Sequence, residues 1–266
     1  MKLEEWLKLY AEICMELGID RSRDYEAAQL LSNMIKQKHL SREHLTMVFK
    51  RHAWAVVFGA GPSLEKDIDE FLEKVGAGSI PTVAADGACR AFLERGVTPD
   101  VVVTDLDGGD EALVEAAEKG SLLVVHAHGD NIDRIKLLIP NLPAVVGTTQ
   151  TEPVGVLENF GGFTDGDRAV YMCEELGVRN IVMAGMDFDG EIGKYSKPAK
   201  LSSDETARKR KKLSIAKKLL THLAENTEAK LYDASASSGK VDGFEKVGWS
   251  YVETHVKHLK IHSSRK

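Results

Sequence analysis

Cysteine is scarce in this chain of 266 residues, and Cys14, Cys89 and Cys173 stand far apart without a Cys-x-x-Cys spacing. This spacing argues against a zinc site and a disulfide framework, so we expect three small, buried apolar groups. Long apolar runs are also missing, which predicts that no segment spans a membrane. The opening residues, MKLEEW, place acids where a secretory signal needs an apolar core, so we expect a cytoplasmic protein.

The sequence has no excess of positive charge either. Its formal net charge is −6 at pH 7, so we expect no nucleic-acid partner and a protein that acts on small molecules. With 43% apolar and 29% charged residues, the chain is long enough for one large α/β domain and an accessory piece. A homodimer is compatible with this composition, and the sequence does not decide the oligomeric state.

Hydrophobic periodicity divides the chain into three regions. Residues 3–17 and 23–38 carry apolar side chains at helical spacing, which predicts an N-terminal helical appendage over residues 1–51. From 52 to 200, short apolar runs alternate with helical patterns, which predicts an α/β catalytic core with a mostly parallel, Rossmann-like sheet flanked by helices. The fifth strand of this sheet is expected over residues 142–147. Residues 201–266 are expected to add a long helix, a strand and a helical tail packed on the core. We interpret the basic start of that long helix, residues 208–212, as a solvent-exposed face.

The most informative stretch is residues 99–108, PDVVVTDLDG, an apolar run that ends in two acids. Its β-branched residues predict a buried strand that delivers Asp105 and Asp107 into the crevice where open α/β sheets bind their ligands. Neighbouring carboxylates repel one another unless a proton or a metal lies between them, so we predict Mg²⁺ shared with a phosphorylated substrate. An Asp-rich turn that caps the next helix is the alternative.

Other predicted strands of the core also end in acids. These acids are Asp86, Asp130 and the pair Asp187 and Asp189. Because the carboxyl ends of parallel strands lie along one edge, the recurrence favours the metal interpretation, and we predict Asp105, Asp107 and Asp130 as ligands. Asp86 also stands where a ribose-binding acid stands in a Rossmann unit, and it is equally suited to cap its own helix.

The first predicted strand of the core, over residues 53–58, leads through glycines into a helix. Free N–H groups and the helix dipole favour an anion there, so we predict that Gly59, Gly61, Pro62 and Ser63 bind a phosphate. A plain strand-to-helix turn is the alternative, since the third glycine of a dinucleotide fingerprint is absent. No Gly-x-x-x-x-Gly-Lys-Ser/Thr loop occurs anywhere in the chain.

Cations follow in a segment of low apolar content that contains Lys194, Lys197 and Lys200. We predict a mobile loop that closes over a polyphosphate, with solvated surface lysines as the alternative. A glycine-rich stretch leads into a further helix, with Thr164 or Asp165 as its expected N-cap, and Arg168 beside this entry is a candidate anion ligand. His126 and His128 lack a third metal ligand at defined spacing, so we favour substrate contact or plain loop polarity for them.

Three motifs taken together resemble the archaeal 6-hydroxymethyl-7,8-dihydropterin pyrophosphokinases, a group similar to the catalytic domain of thiamin pyrophosphokinases. They are VFGAGPSL at residues 57–64, ADGA at 85–88 and the acidic stretch at 99–108. DNID at residues 130–133, and the later glycines with Asp167 and Arg168, follow in the order of that superfamily. The resemblance runs from about residue 57 to residue 190, and its specificity lies in the order of the motifs.

The resemblance implies pyrophosphoryl transfer from ATP to the hydroxymethyl group of a reduced pterin, giving the pterin diphosphate and AMP, in tetrahydromethanopterin or folate-type biosynthesis. Mg²⁺ would be the cofactor and ATP the co-substrate. The residues expected to carry the reaction are Asp105, Asp107, Asp130, Asp133 and Arg168, with Asp86, Lys194 and Lys197 among the nucleotide contacts. A sugar-nucleotide-dependent transferase and a dinucleotide-binding regulatory domain stay open as alternatives.

Overall fold

The computed structural model describes residues 1–188, 192–196, 201–237 and 239–263, with side chains in the last helix described as far as Lys257. Its helices are α1 Leu3–Leu17, α2 Arg21–Ile35, α3 Arg42–Phe49, α4 Leu64–Lys74, α5 Ala88–Leu93, α6 Asp110–Glu118, α7 Ile132–Leu138, α8 Asp165–Glu175, α9 Ser203–Asn226 and α10 Trp249–Ser263. Its strands are β1 Trp54–Phe58, β2 Thr82–Ala85, β3 Val101–Thr104, β4 Leu122–Ala127, β5 Val146–Thr149, β6 Asn180–Ala184, β7 Lys230–Asp233 and β8 Glu245–Lys246.

The strands form one sheet in the order β5-β4-β3-β2-β1-β6-β7-β8, and every neighbouring pair is parallel. From β1 the chain winds outward through β2 to β5, and it then crosses back to place β6, β7 and β8 on the other side. This doubly wound arrangement leaves a crevice at the carboxyl ends of the central strands. The α/β class and the mostly parallel sheet predicted from the sequence are therefore confirmed.

Helices cover both faces of the sheet, and this coverage explains the continuously apolar strands. In β1, Val56 and Phe58 face one core together with residues of α4 and α5, whereas Ala55 and Val57 face a second core on the side of α8. All four of these side chains are fully buried. A strand covered on both faces needs apolar residues at every position, which is the pattern typical of parallel sheets.

The N-terminal helices are part of this packing. Helix α1 has the predicted bounds, and its Trp6 donates from Nε1 to the carbonyl oxygen of Gln150 at 2.9 Å. Helix α2 packs against β4 and β5 through Ala27, Leu31 and Ile35, which are fully buried. Residues 1–51 thus complete the core beside one edge of the sheet.

Some predicted boundaries are wrong. The fifth strand, expected over residues 142–147, lies at Val146–Thr149 because Pro143 has no N–H for the ladder and the preceding residues Ile139–Asn141 form a 3₁₀ turn. The sequence did not reveal β8, which is only two exposed residues long. The strand predicted beyond residue 200 is present as β7, and β7 and β8 extend the sheet there. The three cysteines are buried and free, as expected, and the described helices include none long and apolar enough to cross a membrane.

Candidate active site

A cleft of about 430 Å³ runs along the carboxyl ends of β1 to β6. The sheet edge forms its floor, and the turn between α1 and α2 borders it beside β4 and β5. The start of α8 and the first turns of α9 form the facing walls. Most of the acids and histidines predicted from strand ends meet here, which confirms that the strand ends converge.

Three carboxylates form a cluster at the centre of this cleft. Asp86 follows β2, and Asp105 and Asp107 follow β3; one oxygen of each lies within 4.8 Å of the other two. Among the described residues this is the one group of acid, histidine or cysteine side chains with the spacing of a metal site. Carboxylate oxygens are the hard ligands that Mg²⁺ prefers, so the donor set fits that ion.

Backbone geometry and a threonine hold the three acids together. Asp86 and Leu106 lie in the left-handed region, with φ of 47° and 73°. The hydroxyl of buried Thr104 donates to Asp86 Oδ1 at 2.7 Å and accepts the Leu106 N–H at 2.8 Å. A Cβ on Gly108 would come within 2.7 Å of Asp86 Oδ1, so only glycine lets the two acid-bearing turns approach this closely.

Two side chains near the start of α7 support the turn after β3. Asn131 donates from Nδ2 to the carbonyl oxygens of Asp105 at 2.8 Å and His126 at 2.7 Å. Arg134 donates from Nε and Nη2 to the carbonyl oxygen of Leu106, at 2.9 and 2.7 Å. The start of α7, where the sequence predicts catalytic acids, therefore contributes an amide and a guanidinium instead. These two groups position the turn that carries Asp105 and Asp107.

The predicted acids of this segment lie elsewhere. Asp130 borders the cleft, but it is exposed, is not part of the three-carboxylate cluster and lies 3.7 Å from Arg208. Asp133 is exposed and does not line the cleft. The structure brings Asp86, which the sequence suggested for a ribose, into the position predicted for Asp130.

The cluster concentrates negative charge in a poorly solvated place. Burial raises the pKa of Asp86 well above its usual range, and the neighbouring Asp105, Asp165 and Asp107 raise it further. Asp165, at the start of α8, also has a strongly raised pKa, because of burial first and Asp105 second, with Arg168 acting in the opposite direction. A bound cation would relieve this repulsion, which is a second reason why the site fits a divalent metal.

Arg168 is buried beneath the cleft, with 3% of its surface exposed. It donates from Nη1 to Gly162 O at 3.1 Å and from Nη2 to Phe163 O at 3.2 Å, while Nε has no partner among the described groups. Burial lowers its pKa, and Asp165, Asp167 and Asp105 oppose that shift. The guanidinium is therefore a fixed cation next to the acid cluster.

The basic start of α9 is exposed at Arg208, Arg210 and Lys211, as predicted, but one side of it also borders the cleft, which the sequence did not indicate. Arg208, Lys209 and Lys212 line the cavity, and Lys212 is partly buried with its Nζ 5.9 Å from the centre of the Phe163 ring. Burial lowers the pKa of Lys212, and Asp105 opposes that shift. Arg208 and Lys212 are four residues apart and so share one helix face, a spacing visible in the sequence.

The loop after β1 holds a carboxylate of the protein where the sequence predicts a phosphate. Asp187 Oδ2 accepts the N–H of Ser63 at 2.9 Å and lies 3.0 Å from its hydroxyl oxygen. A Cβ on Gly61 would collide with this carboxylate, so the glycine is needed for packing. Gly59 and Gly61 line the cleft, whereas Pro62 and Ser63 do not.

The predicted lysine loop is described only in part. Lys194 lies outside the cleft and donates to Glu65 Oε1 at 2.7 Å. The adjacent Tyr195 is buried under the Arg90 guanidinium, which lies 4.9 Å from the centre of its ring. Lys197, Lys200 and Asp189 lie outside the described residues, so the lid stays a prediction.

His126, near the end of β4, and His128, just after it, both line the cleft. His128 Nε2 lies 3.2 Å from Asp105 Oδ2, next to the cluster. His126 is 1% exposed, and its Nδ1 lies 3.1 Å from the hydroxyl oxygen of Thr148. Burial lowers the pKa of His126 well below its usual range, and Arg168 and His128 act in the same direction, against Asp105 and Gln150. The buried ring is therefore neutral near pH 7.

Some cleft residues were missed or misread at the sequence level. Asp165 was considered only as a helix cap, yet the cap is Thr164, and Asp165 faces the acid cluster. Asp24 on α2 is buried and lines the cleft, and no sequence signal distinguished it from a surface acid.

Fold and site together define the class of this protein: a doubly wound α/β protein with a carboxylate cluster, opposed by cations, at the carboxyl ends of its parallel strands. The chain belongs to the 6-hydroxymethylpterin diphosphokinase MptE-like family, whose model matches residues 28–193.

Similar proteins span most of the chain. A Pyrococcus furiosus protein named 6-hydroxymethyl-7,8-dihydropterin pyrophosphokinase is 44% identical over 88% of this chain and 100% of its own length. Proteins of the same name from Methanothermobacter thermautotrophicus and Methanocaldococcus jannaschii are 40% and 39% identical, over 87% and 86% of this chain and 99% and 98% of their own lengths.

Among solved structures, the MAf glycosyltransferase from Magnetospirillum magneticum superimposes with a TM-score of 0.53 at 15% identity. The match covers 93% of this chain but only 42% of that protein. At this identity the likeness concerns the fold alone, and it carries no argument for sugar transfer.

Proposed function

We propose that this protein transfers the terminal diphosphate of ATP to the hydroxymethyl group of 6-hydroxymethyl-7,8-dihydropterin, giving the pterin diphosphate and AMP. The observation that carries this proposal is the identity of 39–44%, over nearly whole chains, with three proteins named for that activity. The cleft supports it, because acids and cations face each other across a space large enough for small-molecule substrates.

The proposed step is an in-line substitution at the β-phosphorus of ATP. The acceptor hydroxyl oxygen forms a bond to that phosphorus, the bond to the α,β-bridging oxygen breaks, and AMP leaves with that oxygen. A Gly-Lys phosphate loop of the kind that directs attack to the γ-phosphorus is absent from the sequence. The product would serve tetrahydromethanopterin or folate-type biosynthesis, and we expect the reaction in the cytoplasm, where ATP is available.

We assign Asp86, Asp105 and Asp107 to hold Mg²⁺, whose charge would offset that of the phosphate chain. We assign Asp86 rather than Asp130 as the third ligand, because ligand oxygens of Asp86, Asp105 and Asp107 lie within 4.8 Å of one another. Thr104 keeps Asp86 oriented by donating to its Oδ1. This ligand set explains why an acid with a strongly raised pKa is retained in the cleft.

Cations of α9 would bind the phosphate oxygens from the opposite wall. Lys209 and Lys212 line the cleft, as does Arg208, whereas the lysine first predicted for this task, Lys194, is paired with Glu65 outside it. Fixed cations aimed at a phosphate chain stabilise the charge that develops on the leaving oxygen. Arg168 adds a further buried positive charge beside the acids.

For the hydroxyl proton, His128 is better placed than the other candidate, Asp133. Its ring lines the cleft next to Asp105, whereas Asp133 is exposed outside it. We therefore assign the general base to His128.

A transfer assay with ATP labelled at the β-phosphate tests the proposal. With Mg²⁺ and the reduced pterin, we expect the label in the pterin diphosphate and release of unlabelled AMP, and we expect chelation of Mg²⁺ to abolish both. Thiamin and sugar acceptors serve as parallel reactions. Formation of ADP with a monophosphorylated pterin would refute the transfer mode, and labelling of another acceptor alone would refute the substrate.

A further inference from the structure

The cleft has a distinct end beside β4 and β5, on the opposite side of the acid cluster from the β1 glycines. We call this end the β4–β5 pocket. It is lined by Asp24, His126, Gln150, Phe163 and Arg168. The strand order β5-β4-β3-β2-β1 separates it from the glycine loop by the two strands that deliver the acids. A ligand in the pocket and a second ligand beside β1 would therefore meet at the acid cluster.

Two residues that line this pocket each have a deeply buried nitrogen atom without a hydrogen-bond partner in the described part of the chain. These atoms are Nε2 of His126, a residue 1% exposed, and Nε of Arg168, a residue 3% exposed. The other nitrogens of both side chains are engaged, by Thr148 in the first case and by backbone carbonyls in the second. An unpaired buried polar atom destabilises a folded protein, so two such atoms in one pocket point to a ligand that pairs with them.

The walls of the pocket are fixed before any ligand binds. Asp24 accepts the Gly129 N–H at 2.6 Å and the Gln150 side-chain N–H at 2.7 Å, and it also accepts the hydroxyl of Tyr10. These bonds hold the Gln150 amide in one orientation. The Phe163 ring, 8% exposed, adds an apolar surface next to these polar groups.

We propose that the β4–β5 pocket binds the heterocyclic ring of the acceptor, with His126 Nε2 and Arg168 Nε hydrogen-bonded to its polar edge and Phe163 against its face. This assignment rests on the proposed function and adds the location of the acceptor ring to it. A pterin is flat and carries both N–H donors and nitrogen or carbonyl acceptors along one edge. Arg168 Nε–H requires an acceptor, and a neutral histidine nitrogen pairs with either kind of group.

The substitution His126→Phe tests the polar contact, because it keeps a ring of similar size and removes both nitrogens. At saturating ATP we expect the KM for the pterin to rise about tenfold or more, the usual effect of losing a buried hydrogen bond to a ligand. The KM for ATP should change by less than about twofold, a split that a general loss of structure would not produce. The matched control is His255→Phe, in the exposed part of α10, for which both constants should equal those of the wild type.

Phe163→Leu is the second variant, because it keeps an apolar side chain at the pocket while removing the aromatic face. We expect a rise of several-fold in the pterin KM alone, and this variant decides the question if His126→Phe does not fold. Wild-type KM values for the pterin in both folded variants would overturn the pocket assignment while the proposed function stands. If the wild-type protein transfers diphosphate to no pterin, the proposed function and the pocket assignment both fall.

Discussion

Leu106 shows how single residues shape the site. A leucine at φ 73° is in a conformation that costs about 1–3 kcal/mol, so the surrounding contacts must hold it there. Thr104 and Arg134 do so, by accepting its N–H and donating to its carbonyl oxygen. The strained turn places the carboxylates of Asp105 and Asp107 close to Asp86, a juxtaposition that a relaxed strand end would not provide.

Asp105→Asn is predicted to lower kcat/KM by at least about 10²-fold, because it removes a charge that we assign to metal binding while preserving side-chain shape. Release of AMP at saturating Mg²⁺ measures this loss, and urea unfolding checks that the fold is intact. Asp130→Asn is the comparison, since this exposed acid lies outside the cluster. Its effect should be at least about tenfold smaller. Equal losses in the two variants would mean that Asp130 is a ligand after all.

Asp67 gives a prediction about pH. It is fully buried, and burial raises its pKa to about 6 even though Ser63, Gly185 and Ala236 donate to it. A folded-state pKa above the unfolded value means that its contribution to stability is fully present below about pH 4 and is lost as the pH rises through 6. The free energy of unfolding of the wild type should therefore fall by about 2 kcal/mol relative to that of Asp67→Asn when the pH rises from 4 to 8.

Urea unfolding of wild type and Asp67→Asn at both pH values measures this difference. The test is how the difference in free energy of unfolding changes with pH. The asparagine amide also fits the three donors less well than a carboxylate, but this destabilisation is the same at both pH values. Repeating both measurements at pH 9 is the control, because a carboxyl group with a pKa of about 6 is fully ionised at pH 8 and the difference should not change further. A pH-independent difference for Asp67→Asn would show that the carboxylate titrates normally.

Among the elements, α9 differs in part from what its sequence pattern predicts. Its charges at residues 208–212 suggest a solvated face, and Lys211 is indeed exposed and paired with Glu16. Arg208 and Lys212 lie on another face of the same helix, and the packing of α9 against α8 turns that face to the cleft. One helix therefore carries solvent-facing and site-facing cations side by side.

Lys212→Gln is predicted to lower kcat/KM for ATP by about 10- to 100-fold, the effect expected for losing a charged hydrogen bond to phosphate. Steady-state kinetics with varied ATP measures it. Lys211→Gln is matched in charge and position and should change kcat/KM by less than about twofold. The same loss in both variants would assign the effect to net charge rather than to a contact in the cleft.

For the whole molecule, the question is whether the α/β core can fold without the N-terminal helices. Leu31 and Ile35 of α2 are fully buried, and each such side chain contributes about 1.5–3 kcal/mol by burial. Domains of this kind are stable by only about 5–15 kcal/mol in total. The helices also supply Asp24 to the β4–β5 pocket. We therefore expect residues 1–51 to be needed for stability and for the site.

Deletion of residues 1–51 should abolish the cooperative unfolding transition and leave no measurable transfer activity. Circular dichroism during urea titration measures the transition. Leu31→Ala is the milder variant, with an expected loss of about 2–5 kcal/mol and retained activity where folded. A truncated protein that folds cooperatively and is active would show that these helices are a dispensable appendage.

The sequence by itself determined the α/β class, the parallel sheet and the convergence of Asp105 and Asp107 with other strand-end acids at one edge. It could do so because strand burial and helix periodicity are local patterns, and because parallel strands must end on the same side. The three ordered motifs were also sufficient to indicate the family.

Only the tertiary structure decided which side chains share the site. Strands β2 and β4 both lie next to β3, but Asp86 is buried and held by Thr104, whereas Asp130 is exposed and lies beside Arg208, so only Asp86 completes the cluster. The packing of α9 likewise supplies cleft cations in place of Lys194. Asp187 fills the helix entry that local pattern predicts for a phosphate. Distances between residues far apart in the chain depend on packing, which has no local sequence signature.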